Sequence, residues 1–140
     1  MLGTLLPDAI HLRLAAKQAH WNVRGPNFIG LHELFDKVAD AADEATDLIA
    51  ERLVQVDQYA GGTLGQTARG IRLAPYPESS LPEKGHVRAI TVMLEGFSEL
   101  CQRGIEQTDR AGDACTADIL TQVAREMDKL AWMVGSHLDG

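Results

Sequence analysis

FIGLHELFDKVADAADEATDLIAERLVQVDQYA, residues 28–60, decides how the rest of the chain is to be read. The segment holds no proline, and its one glycine, Gly30, sits near the start. Its apolar residues return at three- and four-residue steps, the period of an amphipathic helix. A helix is therefore expected from just after Asn27 to about Ala60, where Gly61-Gly62 stop it. Upstream, a first helix is expected from about Leu5 to Val23, ended by Arg24-Gly25-Pro26-Asn27. Downstream, residues 61–84 turn to Gly, Pro, Ser and Thr, with Pro75, Pro77 and Pro82. They describe a long crossover with one short helical turn near Leu64 to Ile71. Two further helices, about Pro82 to Arg110 and Thr116 to Leu138, flank Ala111-Gly112-Asp113. No segment shows strand alternation, so the expectation is one all-α domain over residues 1–140. It is a four-helix bundle whose long connection lies between the second and third helices.

The chain has 140 residues, 45% of them hydrophobic, enough for one core and too few for two. No apolar run approaches the roughly 18 residues of a membrane span, and Met1 to Leu6 lack the features of a signal peptide. Cys101 and Cys115 stand far apart and outside any C-x-x-C arrangement, which argues against a disulfide framework or a zinc site. A soluble protein of the reducing cytoplasm, without a membrane partner, is expected. Thirteen basic residues against twenty acidic ones leave a formal charge of −7, an unpromising balance for binding polyanions.

Within the long helix, His32 and Asp36 are four residues apart, as are Asp47 and Glu51. At about 100° per residue the four fall at roughly 0°, 40°, 60° and 100°, one stripe, but Asp36 and Asp47 lie about 16 Å apart along the axis. One straight helix cannot bring them to one metal ion, whose ligands stand near 2 Å. A second copy lying antiparallel across a two-fold axis can. Residues 32 and 51, and residues 36 and 47, share one midpoint between Ala41 and Ala42, so His32 would face the partner's Glu51 and Asp36 the partner's Asp47. Ala39, Ala41, Ala42 and Ala45 surround that midpoint and would let the helices approach. His20, near the end of the first helix, would add a nitrogen donor if the bundle sets it beside His32. Mixed His and carboxylate donors with open positions suit ferrous iron better than closed structural zinc. The competing reading is a solvated acidic face with two histidines nearby, and Asp40 and Asp43, within the same stripe, show how freely carboxylates occur here. Glu83-Lys-Gly-His86 matches a Glu-x-x-His pattern once only, at a helix start, and reads as coincidence. His11 and His137 have no partner at ligand spacing.

The segment Lys17-Gln-Ala-His20-Trp21-Asn22-Val-Arg24-Gly25-Pro26-Asn27-Phe28, followed by Leu31-His32-Glu33-Leu34-Phe35-Asp36 and Asp47-Leu-Ile-Ala-Glu51-Arg52, resembles the ferritin-like Dps family, the DNA-binding proteins from starved cells. So does the ending, Thr116 to Gln122 and Asp128 to Trp132. The resemblance implies a dodecameric cage that oxidises ferrous iron at two-fold interfaces, often with hydrogen peroxide and otherwise with oxygen. Ferric mineral is stored inside, which protects against oxidative damage. It assigns the ferroxidase site to His20, His32 and Asp36 of one subunit with Asp47 and Glu51 of the next, and leaves Zn2+ as a competitor. Trp21 matches a position near the iron where an oxidisable ring would intercept stray electron equivalents, with plain packing as the alternative. Asp113 and Asp118 match acidic three-fold pores, and Gln122 stands where a further acid is usual. The chain begins almost at its first helix and has no Lys-rich arm, so weak or absent DNA binding is expected. DNA compaction, or a structural cage with an incidental metal site, are the alternative functions.

Overall fold

The computed structural model describes residues 1–138; the sequence's closing Asp139-Gly140 lies outside the described residues. Its helices are α1 (Leu2–Asn22), α2 (Phe28–Gln55), α3 (Leu64–Gly70), α4 (Glu83–Arg110) and α5 (Ala114–Gly135), and a 3-10 turn, Ser136–Leu138, follows α5. The described residues contain no strand. α1 pairs with α2 and α4 with α5, and the two hairpins pack α1 against α4 and α2 against α5. Along α2 the buried positions Leu31, Phe35, Val38, Ala42, Ala45, Ile49 and Leu53 step by three or four residues, the stripe expected from sequence. They meet Leu5, Leu12 and Ala16 of α1, Ile90, Leu94 and Phe97 of α4, and Leu120 and Met127 of α5. Each fully buried large side chain is worth about 1.5–3 kcal/mol over exposure.

α2 stops five residues before the expected Ala60. Asp57 adopts φ 60°, and the amides of Asp57 and Gln58 donate to Val54 O (3.1 Å) and Leu53 O (2.9 Å). That is the double hydrogen bond that closes a helix through a left-handed residue, here an Asp where Gly is usual. The stop signal read from Gly61-Gly62 is thus preceded by a stronger one. The last helix likewise ends at Gly135 rather than Leu138, tightening into the 3-10 turn.

The crossover from α2 to α4 is tied to α1. Asp8, 0% exposed, accepts from the backbone amides of Arg72 (2.7 Å) and Leu73 (3.0 Å) and from Arg72 Nε (3.1 Å). Gly70 presses on the same helix, since a Cβ there would stand 2.6 Å from Pro7 Cγ. Arg72 is therefore the partner of a buried acid. At the other end, Glu83 of α4 accepts from Asn27 N (3.0 Å) and Asn27 Nδ2 (2.9 Å), pinning the turn between α1 and α2.

Candidate metal centre

α1 and α2 meet along the α2 stripe through three successive side-chain rungs. At the first, the rings of His20 and His32 stack at 3.8 Å and 15°, and each Nδ1 lies within hydrogen-bond reach of the other's backbone oxygen, 2.6 and 2.7 Å. A carbonyl only accepts, so both Nδ1 atoms carry the proton and donate. When the rings are neutral, the Nε2 atoms are then the nitrogens open to a cation. Phe28 stacks on His32 at 5.1 Å, so His32 is held between two rings. At the second rung, Lys17 Nζ donates to Asp36 Oδ1 at 2.6 Å. That hydrogen bond, with the charge of Lys17 and smaller contributions from His20 and His32, holds the Asp36 carboxyl below the usual carboxylate range against partial burial. At the third, Arg13 pairs with Asp43 at 3.2 Å.

The structure thus brings His20, His32 and Asp36 together within one chain. It leaves Asp47 and Glu51, about three and four turns beyond Asp36 along α2, exposed and without a side-chain hydrogen bond or ion pair. Among the described residues no group of three His, Cys, Asp or Glu side chains converges well enough to hold a metal ion. Three of the five expected donors, His20, His32 and Asp36, are neighbours within one chain, and Asp47 and Glu51 stand apart from them along α2.

The other candidate residues fall elsewhere. Asp113 caps α5 by accepting from Thr116 N (3.1 Å), and it pairs with Arg52 (3.2 Å). The bonds from Thr116, then Arg52, lower its pKa. Asp118 and Gln122 are exposed on α5. Trp21 is 68% exposed, so within one chain it packs against little. Glu83 and His86 serve separate partners: Glu83 holds Asn27, while His86, 2% exposed, bonds the Tyr76 hydroxyl. Burial pushes the His86 pKa down and that of Tyr76 up. His11 reaches Ala74 O of the crossover at 3.3 Å. Cys101 is buried, its thiol pushed up to about 12 chiefly by desolvation, and Cys115 is free and exposed. Sequence reading missed Lys17 and Arg13. Their spacing with His20, at 13, 17 and 20, places all three on one face of α1, and that was the available signal.

Two antiparallel helical hairpins joined by a long crossover, with histidine and carboxylate donors on the second helix, define the ferritin-like class. A family model for the ferritin-like domain matches residues 1–140. The chain is 36% identical to a DNA protection during starvation protein of Agrobacterium fabrum over 138 residues, 99% of this chain and 85% of that protein. It is 31% identical to the protein of that name from Mycolicibacterium smegmatis, over 91% of this chain and 69% of that one. A structure of Dps from Microbacterium arborescens in the high iron form superposes with a TM-score of 0.92 at 29% identity, covering 99% of this chain and 90% of the other. Dps from Listeria monocytogenes gives 0.94 at 28%, covering 99% and 90%. The chain belongs to the Dps family.

Proposed function

We propose that two copies of this chain, with their α2 helices antiparallel, build a pair of ferroxidase sites, each made of His20, His32 and Asp36 from one subunit and Asp47 and Glu51 from the other. The observation that carries this reading is the division of the donors. One half is fixed by α1, and the other is exposed, ionisable and unpartnered at heights related to the first by the midpoint between Ala41 and Ala42. Ferrous iron is the substrate. Two imidazole Nε2 atoms and carboxylates from both subunits supply nitrogen and oxygen donors at open positions, which suits that ion. Each ion gives up one electron, so hydrogen peroxide reduced to water takes electrons from two; oxygen is the alternative oxidant. Zn2+ competes for the same donors.

Membership of the Dps family supports reading the ferric product as stored in a dodecameric cage. Asp118, exposed on α5, is the pore residue to test. Asp113, neutralised in part by Arg52, contributes less to a field that attracts cations. Trp21 beside His20 is exposed enough to meet a second subunit or a stray oxidant. No helix of the described residues is long and apolar enough to cross a membrane. Free Cys101 and Cys115 fit a cytoplasmic setting.

The experiment is stopped-flow absorbance of ferric product after mixing ferrous iron with peroxide or oxygen. His32→Ala and Glu51→Ala should each slow oxidation by at least tenfold while the assembly persists in sedimentation. Unchanged rates in both variants would refute the site.

A further inference from the structure

α2 carries two large apolar residues that nothing in the chain covers, Ile29 (60% exposed) and Val54 (62% exposed). Their positions are related as the metal donors are. Residues 29 and 54 share the midpoint between Ala41 and Ala42. On the angular scale that sets His32 at zero they fall at roughly 60° and 40°, on either side of the centre of the donor stripe. A shallow groove of about 400 Å³ lies beside Val54, lined by Ala50, Glu51, Val54 and Gln55 of α2 and by Ala60 of the segment that follows. Reflected through the same midpoint, its four α2 residues correspond one for one to residues 33, 32, 29 and 28. The groove thus stands at the height where a partner would present Phe28 and Ile29, and Phe28 is itself 38% exposed. Two apolar residues project at one end of the helix, and a groove with an alanine on each flank lies at the other.

We infer that Phe28 and Ile29 of one subunit seat in the groove beside Glu51 and Val54 of a second copy of this chain, forming an apolar clasp at the outer edge of each metal site. The inference rests on the antiparallel pairing proposed above. The two-fold relation makes the contact twice in each dimer. Exposed apolar residues on an otherwise polar helix face, matched to a concavity on the same face, mark an association surface. The clasp has a chemical consequence. It does not depend on iron, so it sets His32 opposite the partner's Glu51 before any metal arrives and keeps Asp47 and Glu51 from having to find the ion unaided. It also covers the outer side of the site, where Phe28 already lies against the His32 ring.

The test uses the full chain in metal-free buffer, in a Cys115→Ser background so that the exposed native thiol does not interfere. Ile29→Cys and Val54→Cys are made singly and together, and covalent dimer is read on a non-reducing gel after treatment with a short bismaleimide. The double variant should cross-link and each single variant should not, because equivalent positions on the two helices stand about 37 Å apart along the axis. In parallel, Ile29→Asp should raise the metal-free dimer dissociation constant about a hundredfold by sedimentation, tenfold for each of two contacts, and Ile29→Leu should restore it. Ile29 is largely exposed in the single chain, so Ile29→Asp should keep the parent's helical signal, with its melting midpoint lowered only as far as the weaker dimer requires. No cross-link in the double variant, or an Ile29→Asp dimer as tight as the parent's, overturns the clasp. Iron oxidation by the parent and by Glu51→Ala, measured alongside, separates the two ideas. A missing clasp with oxidation still dependent on Glu51 leaves the ferroxidase reading standing, whereas a cross-linked dimer whose oxidation ignores Glu51 keeps the clasp and removes that reading.

Discussion

Lys17 occupies one oxygen of a proposed iron ligand, and its removal has a calculable effect. With Lys17 Nζ 2.6 Å from Asp36 Oδ1, a divalent ion on the other carboxylate oxygen would sit about 5 Å from the ammonium. A dication and a monocation at that separation repel by about 2 kcal/mol in water and about 7 kcal/mol at an effective dielectric of 20. The Asp36 side chain is 39% exposed and that of Lys17 29%, so solvent screening is strong and the lower figure applies. Lys17→Met should therefore tighten binding of a dication by about 2 kcal/mol, or 10- to 30-fold. The assay is anaerobic titration calorimetry with cobalt(II), which avoids oxidation, at near-neutral pH. The same substitution has an opposite effect in acid. Lys17 depresses the Asp36 pKa, so the pair's stabilisation is complete above the unfolded carboxyl's value and is lost as pH falls through the lower folded value. Without Lys17, Asp36 takes up its proton at higher pH, and the affinity gain should shrink as the solution becomes acidic. Unchanged or weaker cobalt binding at neutral pH would mean that the ammonium does not compete with the ion, and would remove Asp36 from the ligand set.

Asp8→Ala strands two backbone amides and takes one partner from Arg72, which keeps Thr4 O, and should cost about 3–5 kcal/mol, read as a fall in the thermal midpoint of about 10 °C or more. His86 is buried and its pKa lowered from 6.5, so the unfolded chain binds the extra proton first; stability should fall as pH drops below about 6.5, and His86→Phe should flatten that slope in denaturant titrations at several pH values. With −7 per chain, and Arg72 taken up by Asp8, plasmid should migrate freely with the protein in about 0.1 M salt without divalent metal; full retardation at sub-micromolar protein would contradict this.

The helices were legible because their signal is periodic and local. α2's buried stripe, the α3 turn behind its Thr63 cap and the Asp113 cap of α5 all arise within a few residues of one another. α2 ends before the expected Ala60 because Asp57 turns left-handed, and an Asp in that conformation leaves a weaker trace in sequence than two glycines do. The candidate donors were legible for a similar reason: spacing on one helix, taken with a symmetry argument, needs no knowledge of tertiary contacts. What sequence could not supply was which side chains reach across. Nothing in the local sequence pairs Arg72 with Asp8, which lies buried beneath it, 64 positions away. Lys17 meets Asp36 only because α1 lies against α2, a contact that the spacing on either helix does not announce. The charge of a residue is written in the sequence, but whether that charge is spent on a neighbour is a property of the fold.

The division of the donors between a fixed and a free half bears on when the chemistry can start. His20 and His32 are locked by reciprocal bonds to each other's backbone, so their free nitrogens cost little entropy to present. Those bonds hold α1's end to α2's start whether or not metal is bound. Two imidazoles and a carboxylate already held by Lys17 make a weak half-site, with at most three donors for an ion that prefers more. Asp47 and Glu51 of the same chain are too far along α2 to help, by about 16 Å or more. An isolated subunit would therefore bind ferrous iron feebly and release it before oxidation, and only the assembled pair would bring enough negative charge to hold the ion and offset Lys17. If the proposed pairing forms, oxidation would begin where the ferric product can be contained, because the second half of each proposed site would arrive with a neighbouring subunit.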